Sequence, residues 1–370
     1  MAIAAKPRQR QRPARTEVVP FRNGEGSNER EDTSMARISL VIPVYNEEAC
    51  LRALLDRLYG LKSPAGDDYE YVFIDDGSRD RSLEILVDEA HRNPAVKVLA
   101  LSRNFGHQVA ITAGLDYASG DAVVIMDADL QDPPELVHEM AAKWREGYDV
   151  VYAQRSVRHG EGFFKKATAS IFYRLLGRIA GLSIPRNTGD FRLISRHAVE
   201  SMRGLRERHR FMRGLSVWIG FPQTCVQYER AARVAGETKY GLTKMFRLAV
   251  DAIISFSWVP LRLAFYAGFA AISLCGLYVL VAVFLWAFTD RVLPGWLSLA
   301  ALITFLGSFQ LLTLGIIGEY IGRILDEVKA RPLYFLRETV NVSPDQAGPV
   351  GGGFPGLHAG HGSGAADGRV

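Results

Sequence analysis

The sequence contains little cysteine and almost no excess of charge. Its three cysteines, Cys50, Cys225 and Cys275, lack metal-ligand or redox spacing, which excludes a disulfide framework and indicates a reducing compartment. The formal net charge of the 370 residues is only +4, and we predict no nucleic-acid partner. An internal repeat is absent, and so are the G-x-G-x-x-G and G-x-x-x-x-G-K-[ST] phosphate-binding motifs, which disfavours a dinucleotide-binding fold.

The two ends of the chain lack the apolar residues that a packed segment needs. Residues 1–34 are rich in Arg, Pro, Gln, Glu and Ser and carry no apolar core of a secretory signal. We predict a disordered basic tail there, with a weak contact to anionic lipid as the alternative. Residues 341–370 are rich in Gly and His and are predicted to form a solvated tail, although His358 and His361 could touch a metal.

The sequence does contain two long apolar runs without charge, Leu263–Phe288 and Trp296–Ile317. Each exceeds the ~20 residues that a helix needs to cross the hydrocarbon core of a membrane. We predict a transmembrane hairpin with spans at 261–289 and 295–318, followed by a cytosolic juxtamembrane segment at 319–340. A pair of buried core helices is the alternative, which the length of the runs and their lack of a polar face disfavour.

Basic residues flank the outer ends of this hairpin. Lys244 and Arg262 precede it and Arg323 and Lys329 follow it, whereas the turn holds one Arg balanced by one Asp. The positive-inside rule therefore places both termini and the large preceding domain in the cytosol.

Residues 35–240 are predicted to form one α/β domain. Short apolar runs rich in β-branched residues alternate with segments of helical periodicity. The predicted strands are Ile38–Val44, Tyr71–Ile74, Val96–Leu101, Ala122–Met126 and Val150–Ala153, and the predicted helices are Glu47–Gly60, Ser82–Asn93, Gln108–Ala118 and one that Pro133 and Pro134 open. This alternation predicts a mostly parallel sheet with helices on both faces, whose ligands bind at the carboxyl ends of the strands.

Acidic residues follow three of these strands. Glu47 comes after the first, Asp75 and Asp76 after the second, and Asp127 and Asp129 after the fourth. Carboxylates that share an edge repel one another unless a cation or hydrogen-bond donors compensate them. Oxygen ligands suit Mg²⁺ or Mn²⁺, so the pattern predicts a metal-dependent nucleotide site. Any one of these acids alone is as readily a turn or helix cap.

Six segments together resemble the family-2 glycosyltransferases with the GT-A fold. They are VIPVYNEE (41–48), VFIDDGSRD (72–80), MDADLQDPPE (126–135), NTGDFRLISR (187–196), GETKYG (236–241) and SFSWVPLR (255–262). The last three resemble the polyprenyl-phosphate branch, which includes dolichyl-phosphate mannose synthases and bacterial undecaprenyl- or bactoprenyl-phosphate glucosyltransferases. The resemblance covers about residues 36–338. The QxxRW motif of processive polysaccharide synthases is absent from the sequence.

The resemblance implies an activity and a set of partners. It implies transfer of a hexose, with inversion, from a nucleotide-sugar donor to a polyprenyl phosphate near membrane lipids. UDP-glucose is the preferred donor, and a bacterial inner membrane is the expected location. Mannose, galactose, an N-acetylhexosamine and an aminoarabinose derivative stay open as the sugar, and a homo-oligomer is possible. Two alternatives remain: a glycosyltransferase acting on another lipid or a growing polysaccharide, and a non-catalytic membrane scaffold.

The resemblance also implies roles for residues at matching positions. Pro43, Tyr45 and Glu47 would line the nucleotide pocket, and Asp76 would contact the base. Arg233 would lie with Lys239 on a loop that closes over the diphosphate.

Three further residues are implied as the metal side of the site, one as the acceptor side and one as a catalytic candidate. Asp127 would approach the ribose and the metal, and Asp129 would ligate the metal with Gln131. Arg155 would face the acceptor phosphate, and Asp190 is a catalytic candidate with Asp127 and Asp129. A phosphate monoester is already mostly dianionic near neutral pH, since its second pKa is about 6, and needs little help from a base. Asp190 could therefore instead organise Arg192 or a neighbouring loop.

Three basic segments are predicted to lie near the membrane or near phosphates. Apolar and basic residues recur at helical spacing over 162–182, which predicts an amphipathic interface helix, with an ordinary packed helix as the alternative. A second interface helix is predicted at 241–260. The basic stretch from Arg203 to Arg213 could contact phosphate, with Arg213 the preferred residue, or form a solvated face.

Overall fold

A mixed sheet lies at the centre of the protein. The computed structural model describes residues 35–155, 188–229, 259–288 and 295–343. The strands there are β1 (Arg37–Val44), β2 (Asp68–Asp75), β3 (Val96–Leu101), β4 (Ala122–Ile125), β5 (Val150–Arg155), β6 (Thr188–Ser195), β7 (Gln223–Tyr228) and β8 (Leu336–Val340). The helices there are α1 (Glu48–Tyr59), α2 (Ser82–Arg92), α3 (His107–Tyr117), α4 (Leu136–Arg145), α5 (Arg196–Arg203), α6 (Met212–Trp218), α7 (Val259–Phe288) and α8 (Gly295–Val328).

The strands are arranged in the order β7-β5-β6-β4-β1-β2-β3-β8. Strands β3, β2, β1 and β4 run parallel, and β7 runs parallel to β5. Strand β6 is antiparallel to both of its neighbours, and β8 is antiparallel to β3. The carboxyl ends of the four central parallel strands therefore meet at one edge of the sheet.

Helices cover both faces of this sheet. Helix α1 packs on one face through the fully buried Leu51, Leu54 and Leu58, and α3 packs on the other through Ala110 and Ile111. Because β1 is covered on both sides, it is almost continuously apolar instead of alternating. The predicted α/β class, with a mostly parallel sheet and helices on both faces, is confirmed.

The helix that was predicted to open at Pro133 begins only at Leu136. The residues before Leu136 form a turn with hydrogen bonds between residues three apart, as in a 3₁₀-helix. Leu136 N–H donates to Pro133 O (3.2 Å), and Val137 N–H donates to Pro134 O (3.0 Å). The other predicted strands and helices agree with the structure to within a few residues. Strands β6, β7 and β8 and helices α5 and α6 were not predicted.

Helices α7 and α8 are each long and apolar enough to cross a membrane. Of the described side chains in the two candidate spans, Leu261–Leu285 and Ala301–Val328, Ala271 is buried, whereas most are exposed. The alternative of two buried core helices is therefore wrong. The helices pack together where Phe309 lies over Gly268, 3.5 Å from the position that a Cβ would occupy. Helix α8 continues as a charged helix beyond the predicted end of the span at residue 318.

Several predicted segments lie outside the described residues. These are the tail 1–34, the interface helix 162–182, nearly all of the second interface helix 241–260, and most of the tail 341–370.

The chain returns to the sheet after α8. The side chain of Tyr334 is buried, and its hydroxyl donates to Asp116 Oδ2 at 2.8 Å. Ser102 N–H donates to Phe335 O (2.8 Å), and β8 then pairs with β3. Asn341 Nδ2 donates to two carbonyl oxygens of the α2–β3 region at 2.6 and 2.9 Å. The predicted juxtamembrane segment, 319–340, therefore consists of two parts. Its first part is the end of α8, and its last part is β8, a strand of the central sheet.

Loss of the Tyr334 side chain should destabilise the sheet domain. We expect Tyr334→Ala to lower the free energy of unfolding by about 3 kcal/mol or more, since a buried aromatic ring and its hydrogen bond are lost. The matched control is Arg337→Ala on β8, whose side chain is exposed and should change stability by under about 0.5 kcal/mol. Thermal denaturation in detergent measures both, and a wild-type melting temperature for Tyr334→Ala would contradict the role given to this segment.

Candidate active site

The antiparallel strand β6 brings Asp190 next to Asp127. Strands β4 and β6 pair with Ile125 opposite Arg192. Asp127 lies two residues after Ile125 and Asp190 two residues before Arg192, so the same register places these two acids opposite each other. Both contact one ring nitrogen: His107 Nε2 lies 3.4 Å from Asp127 Oδ1 and 3.4 Å from Asp190 Oδ2.

His107 is a residue of the site that the sequence analysis missed. It is the first residue of α3, directly after the loop that follows β3. A signal was available, since β3 is a parallel strand whose carboxyl end meets the same edge as those of β1, β2 and β4. Acids were the residues that marked this edge in the sequence, and the segment RNFGHQ (103–108) contains none.

The loop that leads to His107 is held by Asp76. The carboxylate of Asp76 accepts hydrogen bonds from Phe105 N–H (2.7 Å) and Gly106 N–H (2.9 Å). Burial raises the pKa of Asp76 even though both hydrogen bonds act in the opposite direction. In the structure the carboxylate of Asp76 supports the β3–α3 loop, and the contact with the nucleotide base that the resemblance implied stays a prediction.

Gly77 allows this loop to lie against the β2–α2 turn. Its φ is +71°, and a Cβ on it would lie 2.7 Å from Arg103 C and Asn104 N. A side chain is therefore excluded both by backbone conformation and by space. The adjacent Asp75 is fully buried, and its carboxylate accepts a hydrogen bond from Ser78 N–H at 3.3 Å. This carboxylate therefore stabilises the β2–α2 turn.

Asp190 is surrounded by donors. Arg213 Nε lies 2.8 Å from Asp190 Oδ1, and Gln108 Nε2 lies 3.4 Å from Oδ2. Burial alone would raise the pKa of Asp190, but the hydrogen bond from His107 and the charge of Arg213 outweigh it and lower the pKa well below the usual range. Asp190 is therefore ionised at neutral pH and is a weak proton acceptor.

Arg192 lies beneath this cluster and is almost fully buried. It donates to Gly189 O (2.8 Å), to Asp190 O (3.3 Å) and to the hydroxyl of Ser216. Burial lowers its pKa to about 10. These contacts join β6 to α6, the helix that carries Arg213.

The carboxylate of Asp127 is held in unfavourable surroundings. Burial raises its pKa to about 6; His107 opposes the rise, and Asp190, Asp132 and Asp129 add to it. Its side chain still keeps 30% of its surface exposed, so a ligand can reach it. Negative charge at this point exceeds what the protein itself compensates.

Gln131 and Asp129 lie on the turn after β4. Asp129 Oδ1 accepts from Gln131 N–H at 3.2 Å. The Gln131 side chain is buried, and its Nε2 has no hydrogen-bond partner among the residues that the structure describes. Rotation of this amide would present its oxygen to a cation without breaking a hydrogen bond of the nitrogen.

These residues fit a hard divalent cation. Within the described ranges, no group of three or more His, Cys, Asp and Glu side chains is arranged to hold a metal. Mg²⁺ is commonly bound by one or two carboxylates together with substrate phosphates, which needs no such group. Asp127 and Asp129 supply the carboxylates. Two features favour a cation there: the excess negative charge at Asp127 and the Gln131 amide, whose nitrogen has no partner among the described residues.

The loops after β1 and β4 share this edge. Burial raises the pKa of the Cys50 thiol, and the nearby charges of Glu47 and Asp129 raise it further. Glu47 N–H donates to Ser82 Oγ (2.9 Å), which fixes the start of α1 against α2. Pro43 is buried in β1, whereas Tyr45 keeps 44% of its surface exposed, so Tyr45 is accessible to a ligand.

Arg155 ends β5 on the other side of β6. Its Nε donates to Tyr228 Oη (3.1 Å), and its Nη2 lies 3.8 Å from Oδ1 of the fully buried Asp132. A Cβ on Gly189 would lie 2.9 Å from Arg155 Nη2, so the guanidinium lies directly over β6. Arg155 is thus close to the metal-side turn.

The structure therefore brings together most of the predicted site residues. Two of them, Arg233 and Lys239, lie outside the described residues.

Two family models match the chain. The one described as glycosyl transferase family 2 matches residues 39–203, and the one described as GtrB C-terminal hairpin matches residues 259–324. The first range holds the acidic edge, and the second spans most of α7 and α8.

Relatives of similar length match nearly the whole of their own sequence. An uncharacterised glycosyltransferase, YkcC of Bacillus subtilis, is 51% identical over 304 residues, which are 82% of this chain and 94% of the relative. A bactoprenol glucosyl transferase of Shigella phage SfII is 42% identical over 313 residues, 83% of this chain and 100% of the relative.

Solved structures resemble the sheet domain more distantly. S. aureus TarS 1–349 in complex with UDP-GlcNAc gives a TM-score of 0.41 at 19% identity, covering 59% of this chain and 66% of that chain. Glucosyl-3-phosphoglycerate synthase from Mycobacterium tuberculosis gives 0.43 at 22% identity, covering 59% and 76%.

Neutralising Asp127 should stabilise the metal-free protein. Because its folded-state pKa of about 6 lies above the ordinary value near 4, its ionisation destabilises the fold increasingly as the pH rises between the two. We expect Asp127→Asn to raise the free energy of unfolding at pH 7.5 in EDTA by on the order of 1–3 kcal/mol, which is seen as a higher melting temperature. This gain should shrink as the pH falls towards 4.

The control for this experiment is Asp88→Asn, on the exposed side of α2, which should leave the melting temperature unchanged. A loss of stability in Asp127→Asn at pH 7.5, or a gain of equal size at both pH values, would contradict the account of its surroundings.

Proposed function

We propose, because the chain belongs to glycosyltransferase family 2, that it transfers glucose from UDP-glucose to the phosphate of a polyprenyl phosphate of the undecaprenyl type. The observation that carries the proposal is the joining of two parts in one chain. A carboxylate- and arginine-lined site at the edge of the sheet is followed by two exposed apolar helices, after which the chain returns to the same sheet. A relative that matches over its whole length is named a bactoprenol glucosyl transferase.

Donor binding falls to the loops after β1, β2 and β4. Asp127 and Asp129, with Gln131, would hold Mg²⁺ or Mn²⁺, which when bound neutralises the charge that develops on the leaving nucleoside diphosphate. Tyr45 is exposed beside this edge and can lie against the nucleotide. Asp76 and Gly77 contribute by keeping the β3–α3 loop in place.

Acceptor binding falls to the arginines on the other side of the site. Arg155 and Arg213 each keep about a third of the side chain exposed, at 30%. A guanidinium presents its donors as a planar fork that matches phosphate oxygens. The acceptor phosphate would approach from the β5–β6 side, opposite the nucleotide.

The acceptor phosphate acts as its own nucleophile. It is mostly dianionic near neutral pH, since its second pKa is about 6, so no residue needs to remove a proton. The low pKa of Asp190 agrees with this, because a carboxylate that stays ionised orients Arg213 and does not accept a proton. Attack in line with the diphosphate then inverts the sugar carbon, and catalysis comes from positioning and electrostatics.

The protein is associated with a membrane through α7 and α8. Strand β8 follows α8 and pairs with β3, which supports placing β8 and the rest of the sheet on the same side of the membrane. A hairpin in which α7 and α8 each cross the membrane once satisfies this condition. Together with the flanking basic residues, this supports a hairpin whose catalytic domain faces the cytosol of a bacterial cell.

A donor screen tests the proposed reaction. Purified protein in nanodiscs receives undecaprenyl phosphate, Mg²⁺ or Mn²⁺, and one of a panel of UDP- and GDP-sugars, with release of nucleoside diphosphate as the readout. We expect metal-dependent release with UDP-glucose, only when the lipid phosphate is present. If no donor gives release of nucleoside diphosphate, from protein that melts cooperatively, the proposal is refuted. Release with another sugar alone would correct the donor.

Asp129→Ala should abolish transfer without unfolding the domain. The loss of a carboxylate from the cation site should reduce turnover by roughly 10³-fold, since charge stabilisation of the leaving group is lost. The melting temperature without ligand should stay close to that of the wild type, while stabilisation by UDP with Mn²⁺ should disappear. Glu139→Ala, at an exposed position of α4, is the matched control. Turnover like that of the wild type in Asp129→Ala would remove the metal assignment.

A further inference from the structure

One nitrogen of His107 contacts carboxylates that belong to the two halves of the site. Asp127 lies on the donor side, after β4, and Asp190 lies on β6, where it holds Arg213. The Nε2 atom of His107 is 3.4 Å from an oxygen of each. The imidazole therefore lies between two negatively charged groups that come from neighbouring strands.

The chemistry of the contact defines what the ring does. An ionised carboxylate accepts hydrogen bonds and cannot donate them. The ring nitrogen, 3.4 Å from an oxygen of each acid, is therefore in position to direct its hydrogen towards them. Without this donor, two carboxylates in opposed register would repel each other and separate.

The position of the ring is itself fixed by the backbone. Asp76 accepts from the two N–H groups that precede the helix, and Gly106 has a φ of +99°, a conformation that directs the chain into α3. The next residue, Gln108, accepts from Met212 N–H at 2.8 Å with its Oε1. The start of α3 is thus attached to the β2 turn on one side and to the start of α6 on the other.

We propose that His107 is a positioning residue that fixes the separation between Asp127 on the donor side and the Asp190–Arg213 pair on the acceptor side. The inference rests on the proposed function, in which a nucleotide-bound sugar and a lipid phosphate must meet in line. His107 does this through the contacts of its Nε2 atom with both acids, each at 3.4 Å, and it carries no proton between substrates. A misplacement of about 1 Å at such a point can cost roughly 10²-fold in rate.

Three substitutions separate hydrogen bonding from the other properties of the ring. His107→Gln places an amide nitrogen with two hydrogens near the original Nε2, so it can donate to both acids but cannot transfer protons at neutral pH. His107→Leu keeps a side chain of similar bulk without a donor. His107→Asn has a donor that is too short to reach both acids. The control is His91→Leu, at an exposed position of α2.

Each variant is measured in three ways: turnover with UDP-glucose and undecaprenyl phosphate, binding of UDP with Mn²⁺ by calorimetry, and the melting temperature. We expect His107→Leu and His107→Asn to lose roughly 10²-fold in kcat and His107→Gln to recover to within about tenfold of the wild type. UDP binding should change by no more than about threefold, because the carboxylates and the amide assigned to the cation remain. His91→Leu should match the wild type in all three.

The outcomes distinguish this inference from the proposed function. A wild-type protein that transfers no sugar refutes the proposed function. With an active wild type, a His107→Leu variant of normal turnover overturns the positioning role. So does a His107→Gln variant that is as slow as His107→Leu while it melts and binds UDP normally, since the ring itself is then required. Should His107→Leu lower the melting temperature, the comparison of Gln with Asn decides the question.

Discussion

Repulsion among carboxylates at one edge of the sheet is the constraint on which the site depends. Parallel strands deliver their polar ends to a common edge, and β6 adds a further acid because it enters the sheet in the opposite direction. The protein compensates Asp190 with Arg213 and His107, but it leaves Asp127 with a raised pKa. One acid is thus used internally and the other is left ready for a cation that arrives with its substrate. This difference in compensation agrees with the proposed division of the site into an acceptor half and a donor half.

Local sequence pattern was sufficient for the elements that depend on neighbours in the chain. The β-branched runs and helical periodicity located β1 to β5 and α1 to α3, and strand phase located Asp127 and Asp129. Pairing between distant segments was not readable in this way. Strand β6 reads as a motif, TGDFRLIS, but nothing in it shows that Arg192 pairs with Ile125. The position of Asp190 opposite Asp127 follows only from that register.

The same limit explains His107 and β8. His107 stands alone in its segment, and its importance comes from two acids that are distant in sequence. Strand β8, LRETV, is short, charged and follows a membrane helix, so it reads as a surface segment until its partner β3 is known. Asp76 has contacts that its motif does not show, since its carboxylate holds two backbone amides. Its predicted contact with the nucleotide base stays a prediction.

The return of the chain to β3 also sets an order of events during synthesis. Tyr334 and Asp116, which bond to each other, are 218 residues apart in sequence. The edge of β3 therefore stays open on the ribosome until both apolar helices have been made and the chain has come back. Completion of the sheet consequently requires that both apolar helices have been synthesised. A chain that stalls between α7 and α8 would keep an unpaired strand edge, which marks it for aggregation or degradation before it can act on any substrate.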